Sequence, residues 1–357
     1  MLKILVEADP ILNVIPVILD PTIPPAHLDA VRDFYTFDVP EFDGWLAGVR
    51  QRIPGLYPSR VVFADSQADL ADKIRDADAV IVESLNIGET ELSNARQLKV
   101  AQRWGGQSAG IDVNACTARG VPVSVLRRRV NITVAEQAIA LMMILGRRHN
   151  QLMGIVEADA LKAKGFDLRP YNRTYSGNSN FARIPNVVSM LDSTLGIIGL
   201  GEIGREVAIR AKAFGMRTLY YQRSRLPAMD EMLLGATYAP LEEMLPQCDF
   251  VSLHLPLNAS TRGILGRRHV EQMKKGVFLV NIARARLIDY DAVIWGLESG
   301  HLGGFGLDAG YHEPAADGEK LLSFPNAVLL PHTAPAHRMH ALRDFEQMML
   351  RMWEYLG

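Results

Sequence analysis

Three glycines, Gly199, Gly201 and Gly204, have the GxGxxG spacing that can hold the pyrophosphate of a dinucleotide. An apolar strand is predicted directly before them at Leu195–Ile198, and a helix directly after them at Glu202–Phe214. In that context the first glycine permits a tight turn and the second lets the backbone approach the pyrophosphate, while the third lets the helix pack closely on the strand. The N–H groups that open the helix favour phosphate charge. The pattern therefore predicts a dinucleotide-binding unit.

The next predicted strand ends in the stretch TLYYQRSR, where this motif usually carries an acidic residue that binds the ribose 2′-hydroxyl. Gln222 stands there instead, and Arg223, Ser224 and Arg225 follow it. A carboxylate would repel a 2′-phosphate, whereas a neutral amide would not, and guanidinium and hydroxyl groups can donate hydrogen bonds to it. The turn therefore favours NADP(H). The alternative is that these arginines form an ordinary solvated turn and that the cofactor is NAD.

The elements that must position these groups belong to an ordinary globular chain. Its 357 residues favour two domains, with 48% hydrophobic and 22% charged residues. A net charge of -2 argues against nucleic-acid and membrane-surface binding. Cys116 and Cys248 lie far apart in the sequence and form no CxxC or zinc-binding pattern. No signal peptide is evident and no uninterrupted apolar run approaches about 18 residues, so we expect a cytoplasmic protein without a membrane span.

Short apolar runs alternate with amphipathic stretches in two series, which predicts parallel α/β sheets. The Asn131–Asn150 segment has helical spacing. The segment Phe37–Pro58 breaks the rhythm and is interpreted as an insertion, and residues 151–190 as a loop that leads into a second domain. The first series predicts strands at Leu2–Glu7, Arg60–Ala64, Ala79–Glu83, Leu98–Gln102 and Val121–Val125, and the second adds Phe250–Leu255, Val277–Ile282, Gly304–Asp308 and Ala327–Leu330.

Beyond the glycine motif, the chain resembles the D-isomer-specific 2-hydroxyacid dehydrogenase family. The matching segments, in the family's order, are AQRWGGQSAGIDV, VAEQ, TLGIIGLGEIG, CDFVSLHLPLNASTRGIL, NIARARLID, GLDAGYHEP and LLPHTA. The resemblance implies two Rossmann-like domains, doubly wound parallel α/β sheets with the active site in the cleft between them. Residues 1–125 and 335–357 would form a discontinuous, flavodoxin-like substrate domain, and residues 126–334 the dinucleotide-binding domain. A homodimer is also implied, through the nucleotide domains and the helix at Asn131–Asn150.

The family's catalytic trio is an arginine, a glutamate and a histidine, which the resemblance places at Arg284, Glu313 and His332. These residue types suit the reduction of a 2-oxo acid by hydride transfer. His332 would supply the proton that the developing alkoxide needs, and Glu313 would hold the imidazole tautomer. Arg284 would bind the substrate carboxylate and polarise the carbonyl group.

The same resemblance assigns the remaining site residues. Backbone N–H groups near Gly105, Gly106 and Gln107 would hold the substrate carboxylate together with Arg284, and Asp308 would contact the nicotinamide carboxamide. No metal site is predicted. The predicted cofactor-binding residues are Gly199, Gly201, Glu202, Ile203, Gly204, Gln222, Arg223, Ser224, Arg225, Pro256, Thr261, Ala283 and Asp308.

Departures from the family pattern bear on the substrate. Ala285 replaces a common glycine beside Arg284, and Thr333 begins a segment that replaces a frequent glycine pair. Formate dehydrogenases of the family pair their histidine with glutamine, so Glu313 argues against formate. The loop at residues 83–87 has no base for a phosphate. We therefore expect a small, unphosphorylated 2-oxo acid such as glyoxylate or hydroxypyruvate.

Two alternative functions remain open at this level. One is an NAD-linked D-2-hydroxy acid dehydrogenase, which differs from the first prediction in cofactor preference. The other is a dinucleotide-sensing binding protein, because the family includes transcriptional corepressors that can retain the trio. Turnover of a 2-oxo acid separates an enzyme from a sensor.

Overall fold

The computed structural model describes residues 1–356, which divide into two compact units. The first unit contains residues 1–131 and the chain from residue 337 onward, and the second contains residues 132–336. The sequence predicts these divisions at 125/126 and 334/335. The first unit is therefore discontinuous in sequence, and the second is one continuous segment.

Within the described residues, the first unit contains a parallel sheet with the strand order β2-β1-β3-β4-β5. This is the doubly wound, flavodoxin-like order that the family resemblance predicts. Its strands are β1 (Leu2–Glu7), β2 (Ser59–Ala64), β3 (Ala79–Val82), β4 (Val100–Arg103) and β5 (Val123–Ser124). Its first helices are α1 (Val14–Leu19), α2 (Pro25–Thr36), α3 (Phe42–Arg52), α4 (Gln67–Lys73), α5 (Glu89–Asn94) and α6 (Val113–Ala118).

The segment 37–58, which the sequence analysis interprets as an insertion, contains helix α3 and contributes to this unit's core. Helix α3 buries Phe42, Leu46 and Val49, because residues at this spacing share one side of a helix. The ring of Phe42 stacks on that of Tyr35 in α2, with 5.7 Å between the ring centroids. Burial of these side chains removes apolar surface from water and holds α3 against its neighbours.

The second unit contains a parallel sheet with the strand order β12-β11-β10-β9-β6-β7-β8 among the described residues. The order reverses between β6 and β9, and ligands of such sheets bind at the carboxyl ends of the strands beside that point. The three-residue strand β8 was not predicted. The strands are β6 (Thr194–Ile198), β7 (Arg217–Tyr221), β8 (Ala236–Tyr238), β9 (Phe250–Leu253), β10 (Val277–Asn281), β11 (Leu302–Leu307) and β12 (Ala327–Leu329).

Helix α7 crosses the division between the units in sequence and contributes to the core of the second. By length and composition alone it could cross a membrane, with 18 residues and a mean hydropathy of 1.3. Half of it is nevertheless buried, and Leu141 and Leu145 pack so closely on Gly306 that a Cβ there would lie 3.2 and 3.3 Å from them. The helices are α7 (Arg129–Gly146), α8 (His149–Leu152), α9 (Ala158–Ala163), α10 (Glu202–Ala213), α11 (Ala228–Leu234), α12 (Leu241–Met244), α13 (Arg267–Gln272) and α14 (Tyr290–Glu298).

The last helix, α15 (Arg338–Leu356), returns the chain to the first unit. Phe345 stacks on Trp104 with 4.3 Å between the ring centroids. Asp344 is fully buried and accepts a hydrogen bond from the Arg129 guanidinium at 3.0 Å. The apolar face of α15 supplies Leu342, Phe345, Met348, Met349 and Met352 to the core of this unit.

A buried carboxylate holds the loop that follows β3. Glu7, at the end of β1, accepts hydrogen bonds from the backbone N–H groups of Glu83 at 2.6 Å, Ser84 at 2.8 Å and Leu85 at 3.0 Å, and from the Ser84 hydroxyl. Burial alone would raise the pKa of Glu7, but these hydrogen bonds outweigh it and leave the pKa below its ordinary value of 4.5. The charged form of Glu7 therefore stabilises the fold.

Glu7→Gln is expected to reduce the stability of the first unit at pH 7 by about 1–3 kcal/mol, because an amide cannot accept all of these hydrogen bonds. The folded pKa is depressed, so the stabilisation is present above about pH 4.5 and disappears as the pH falls through the folded value. Thermal unfolding of both proteins should show a difference in Tm at pH 7 that shrinks below pH 4.5. Glu41→Gln, at an exposed carboxylate, is the control. A difference that is constant with pH would contradict this role.

Candidate active site

The carboxyl ends of three neighbouring strands carry the predicted catalytic trio. Strands β10, β11 and β12 are parallel neighbours, so the loops that follow them meet at one edge of the sheet. Arg284 follows β10, Glu313 follows β11 and His332 follows β12. The fold of the second unit thus brings side chains that are far apart in sequence to the same edge.

His332 and Glu313 form a direct pair. The Nδ1 atom of His332 lies 3.1 and 3.2 Å from the two carboxylate oxygens of Glu313. The backbone N–H of Gly310 donates a hydrogen bond to Glu313 Oε1 at 3.1 Å, which orients the carboxylate. Because Nδ1 is engaged by Glu313, Nε2 is the ring nitrogen that can exchange a proton with a substrate.

The backbone of His332 adopts the left-handed conformation, with φ at 54°. That conformation costs a residue other than glycine about 1–2 kcal/mol. Asp308, which is fully buried, opposes this cost. Its carbonyl oxygen accepts a hydrogen bond from His332 N–H at 2.8 Å, and its two carboxylate oxygens accept from Thr333 N–H and Ala334 N–H at 3.0 Å each. Asp308 therefore fixes the turn of His332, and its predicted contact with the nicotinamide carboxamide stays a prediction.

The turn that carries Arg284 is shaped by Asn281, which sequence reasoning missed. Asn281 is fully buried at the end of β10. Its amide nitrogen donates to the carbonyl oxygen of Arg284 at 2.8 Å, and its amide oxygen accepts from Ala283 N–H at 3.0 Å. The Arg284 side chain is exposed beyond this turn and donates to the Ala283 carbonyl at 2.8 Å. A polar residue that closes the apolar strand VFLVN was the available signal.

The glycine loop has three different steric requirements. Gly199 has φ at 94°, and a Cβ there would lie 2.9 Å from the carbonyl oxygen of His254. A Cβ on Gly204 would lie 2.2 Å from the carbonyl oxygen of Gly199, so α10 can approach β6 only with glycine at this position. A Cβ on Gly201, at the start of α10, would meet no atom within 4 Å. The space in front of Gly201 is therefore open, and Glu202 and Ile203 follow as the first residues of the helix.

Gln222 joins this loop to the turn that follows β7. Its amide oxygen accepts a hydrogen bond from Leu200 N–H at 3.3 Å, and its amide nitrogen donates to the Ser224 carbonyl at 2.6 Å. The side chains of Arg223 and Ser224 are exposed at the tip of the turn. The neutral amide therefore has a structural role in addition to leaving the place without negative charge.

The guanidinium of Arg225, which the sequence predicts to bind a 2′-phosphate, is bound by Glu231 of α11. Arg225 Nε and Nη2 donate to the two carboxylate oxygens at 2.9 and 2.8 Å, and the Tyr220 hydroxyl donates to the same carboxylate at 2.7 Å. The Arg225 guanidinium, followed by the Tyr220 hydroxyl, lowers the pKa of Glu231. The sequence assigned Arg225 to a 2′-phosphate, and it did not identify Glu231 as its partner.

Two further predicted cofactor residues lie in the loop after β9. The Thr261 hydroxyl donates to the Pro256 carbonyl at 2.6 Å and accepts from Asn258 N–H at 2.9 Å, which closes the loop on itself. His254, at the start of this loop, is held at 2.8 Å from the Ser252 hydroxyl. Burial lowers the pKa of His254 to about 3, so this imidazole is neutral at pH 7.

The predicted substrate loop lies at the carboxyl end of β4 in the first unit. The Gly105 carbonyl accepts a hydrogen bond from Leu126 N–H at 2.6 Å. A Cβ on Gly106 would lie 3.3 Å from the Cα of Arg127, and Gln107 is half-buried. The contact of these residues with a substrate carboxylate stays a prediction.

Comparisons with known proteins agree with this arrangement. The sequence profile described as D-isomer specific 2-hydroxyacid dehydrogenase, NAD binding domain, matches residues 167–334. Glyoxylate reductase of Thermococcus gammatolerans is 35% identical over 268 residues, which cover 75% of this chain and 76% of that protein. The 4-methyl-2-oxopentanoate reductase A of Aspergillus oryzae is 38% identical over 237 residues, covering 66% and 65% of the two chains.

Two solved structures give the same fold. PH0520 protein of Pyrococcus horikoshii matches with a TM-score of 0.58 at 24% identity, over 99% of this chain and 90% of that one. A glyoxylate reductase of Paecilomyes thermophila matches with a TM-score of 0.53 at 27% identity, over 98% and 93%. The chain therefore belongs to the D-isomer-specific 2-hydroxyacid dehydrogenase family, and is an NAD(P)-dependent oxidoreductase that acts on CH–OH groups.

Proposed function

We propose that the protein uses NADPH to reduce small, unphosphorylated 2-oxo acids to D-2-hydroxy acids. The observation that carries the proposal is the His332–Glu313 pair, which lies at the sheet edge where Arg284 also lies. The relatives' names support the substrate class, because glyoxylate and 4-methyl-2-oxopentanoate are both unphosphorylated 2-oxo acids.

Each catalytic residue of this chain would have a different role in the reaction. A bound reduced nicotinamide would supply the hydride. His332 would donate the proton from Nε2 to the carbonyl oxygen as it becomes an alkoxide, and Glu313 would stabilise the imidazole through Nδ1. Arg284 would bind the substrate carboxylate and draw electron density from the carbonyl group.

The second unit can accommodate a dinucleotide at its glycine loop. The open space at Gly201 lets a pyrophosphate approach the backbone at the start of α10. Gln222 supports NADP(H), since no carboxylate stands where a 2′-phosphate would lie. The pairing of Arg225 with Glu231 leaves one cation fewer for that phosphate and favours the second candidate, an NAD-linked D-2-hydroxy acid dehydrogenase. The homodimer and the cytoplasmic location remain predictions.

The assay that tests the function follows absorbance of the reduced nicotinamide with purified protein and a panel of 2-oxo acids. We expect kcat/KM with NADPH to exceed that with NADH, and glyoxylate or hydroxypyruvate to be among the best substrates. A preference for NADH would replace the proposal with the NAD-linked dehydrogenase. Cofactor binding without turnover of any acid would favour a dinucleotide-sensing, corepressor-like protein.

His332→Asn is expected to lower kcat about 100- to 10,000-fold, because the general acid is lost. Asparagine tolerates the left-handed backbone of this position, so the turn should persist. His312→Asn is the matched control, since His312 is exposed next to Glu313 and has no assigned role. Stopped-flow and steady-state kinetics, with the NADPH Kd measured in parallel, check the result. Equal kcat in the two variants would remove His332 from the mechanism.

Gly201→Ala and Gly204→Ala should separate cofactor binding from folding. At Gly204 the added methyl meets the Gly199 carbonyl, and we expect a loss of about 1–3 kcal/mol in the free energy of unfolding. At Gly201 it enters open space, so Tm should change little while the NADPH Kd rises about tenfold or more where the pyrophosphate approaches. Thermal unfolding and titration calorimetry check both. Unchanged NADPH affinity in Gly201→Ala would contradict the assigned position of the pyrophosphate.

A further inference from the structure

Three side chains attach the turn after β7 to α11: Tyr220, Arg225 and Glu231. We call this group the turn clamp. Arg225 binds both oxygens of Glu231, at 2.9 and 2.8 Å, in the two-pronged geometry that gives guanidinium–carboxylate pairs their strength. Tyr220 donates its hydroxyl hydrogen to Glu231 at 2.7 Å and accepts a hydrogen bond from Leu226 N–H at 2.8 Å. The clamp therefore ties the side chain and the backbone of the turn to one carboxylate.

Separating Arg225 from the Glu231 carboxylate would be energetically unfavourable. The Glu231 side chain is 10% exposed, whereas the Arg225 side chain is 62% exposed. If Arg225 left to bind a ligand, a largely buried charge would lose its cation, which is strongly unfavourable. The neighbouring acid, Asp230, is also occupied, because Arg205 Nη2 binds it at 3.0 Å. Both acids of α11 that lie near the turn thus have a cation of their own.

Arg223 differs from Arg225 in having no such partner. Its side chain is exposed at the tip of the turn, and within residues 1–356 it makes no hydrogen bond or ion pair. Ser224 beside it is also exposed, while its carbonyl is held by Gln222 at 2.6 Å. Gln222 in turn binds Leu200 of the glycine loop. The side chains of Gln222 and Arg225 therefore attach the turn on either side of Arg223 to the glycine loop and to α11, while the Arg223 guanidinium itself is available.

We infer that Arg225 is a positioning residue that acts through the turn clamp, and that it leaves the 2′-phosphate of NADP(H) to Arg223 and Ser224, which the sequence already assigns to that phosphate. This inference rests on the proposed function. It assigns different tasks to two arginines that the sequence treats as equivalent. One arginine binds the phosphate dianion, and the other holds the turn and neutralises Glu231, whose charge would otherwise repel that phosphate.

The experiment measures Kd by titration calorimetry for NADPH, NADH and adenosine 2′,5′-bisphosphate, with wild type, Arg223→Gln, Arg225→Gln and Arg225→Lys. Arg223→Gln should raise the Kd of NADPH and of the bisphosphate about 10- to 100-fold, which is the usual effect of losing a hydrogen bond to a charged group. Its NADH Kd should stay within about twofold. The salt dependence of NADPH binding should also become weaker in this variant, because one cation is missing.

Arg225→Gln should weaken NADPH binding only about three- to fivefold. This effect is expected because Glu231 loses its cation and the turn loses its attachment to α11. NADH binding should be unchanged, which a general loss of structure would not produce. Arg225→Lys keeps a cation beside Glu231 and should restore the wild-type NADPH Kd.

Two results would overturn the inference. One is a loss in Arg225→Gln as large as that in Arg223→Gln, which would mean that Arg225 leaves Glu231 to bind the phosphate. The other is unchanged NADPH and bisphosphate binding in Arg223→Gln. A wild-type preference for NADH would instead refute the cofactor proposal, and the relative bisphosphate affinities of the variants would still decide which arginine binds the phosphate.

Discussion

Asp308 accepts hydrogen bonds from Thr333 and Ala334 with a carboxylate that is fully shielded from solvent, and the geometry of the catalytic edge depends on this interaction. A buried charge is tolerated only where hydrogen bonds replace its hydration, and here the backbone of the neighbouring loop supplies them. The same contacts hold His332 in a conformation that an isolated chain would rarely adopt. The loop after β12 is therefore positioned by the end of β11.

The loop after β11 also provides Glu313, so both the backbone and the imidazole of His332 are oriented from one segment. On the other side of the sheet's switch point, the cofactor loop is held by a different kind of constraint. There Gly199 and Gly204 approach so closely that no side chain fits between them. Hydrogen bonds to the buried Asp308 carboxylate therefore position the loop of His332. The glycine loop is instead shaped by the lack of side chains at Gly199 and Gly204.

The parts of this site that could be predicted from the sequence are those encoded locally. The glycine loop, its strand and its helix are contiguous, so the glycine spacing and its local context predict them together. Arg284, Glu313 and His332 were assigned through the family resemblance, and the fold brings their loops to one edge of the sheet. The pairing of Arg225 with Glu231 could not be foreseen, because it depends on how α11 packs beside β7. Asn281 was missed for a similar reason, since the partners of a polar strand end are known only once the turn is folded.

Helix α3, within residues 37–58, was not predicted for a different reason. Phe42, Leu46 and Val49 do have helical spacing, but glycines within the segment and prolines around it obscured the pattern. Short edge strands such as β8 carry too few residues for any period to be visible.

Helix α15 has a consequence for how the chain is assembled on the ribosome. The first unit is closed by Phe345, Met348 and other side chains of α15, which are synthesised after all of the second unit. Because domains generally fold as they emerge, the second unit can reach its native state as a continuous segment while the earlier residues still wait for their last helix. During that interval the face of Trp104 that α15 covers has no partner from this helix, so this apolar surface stays exposed until the last residues of the helix have been synthesised.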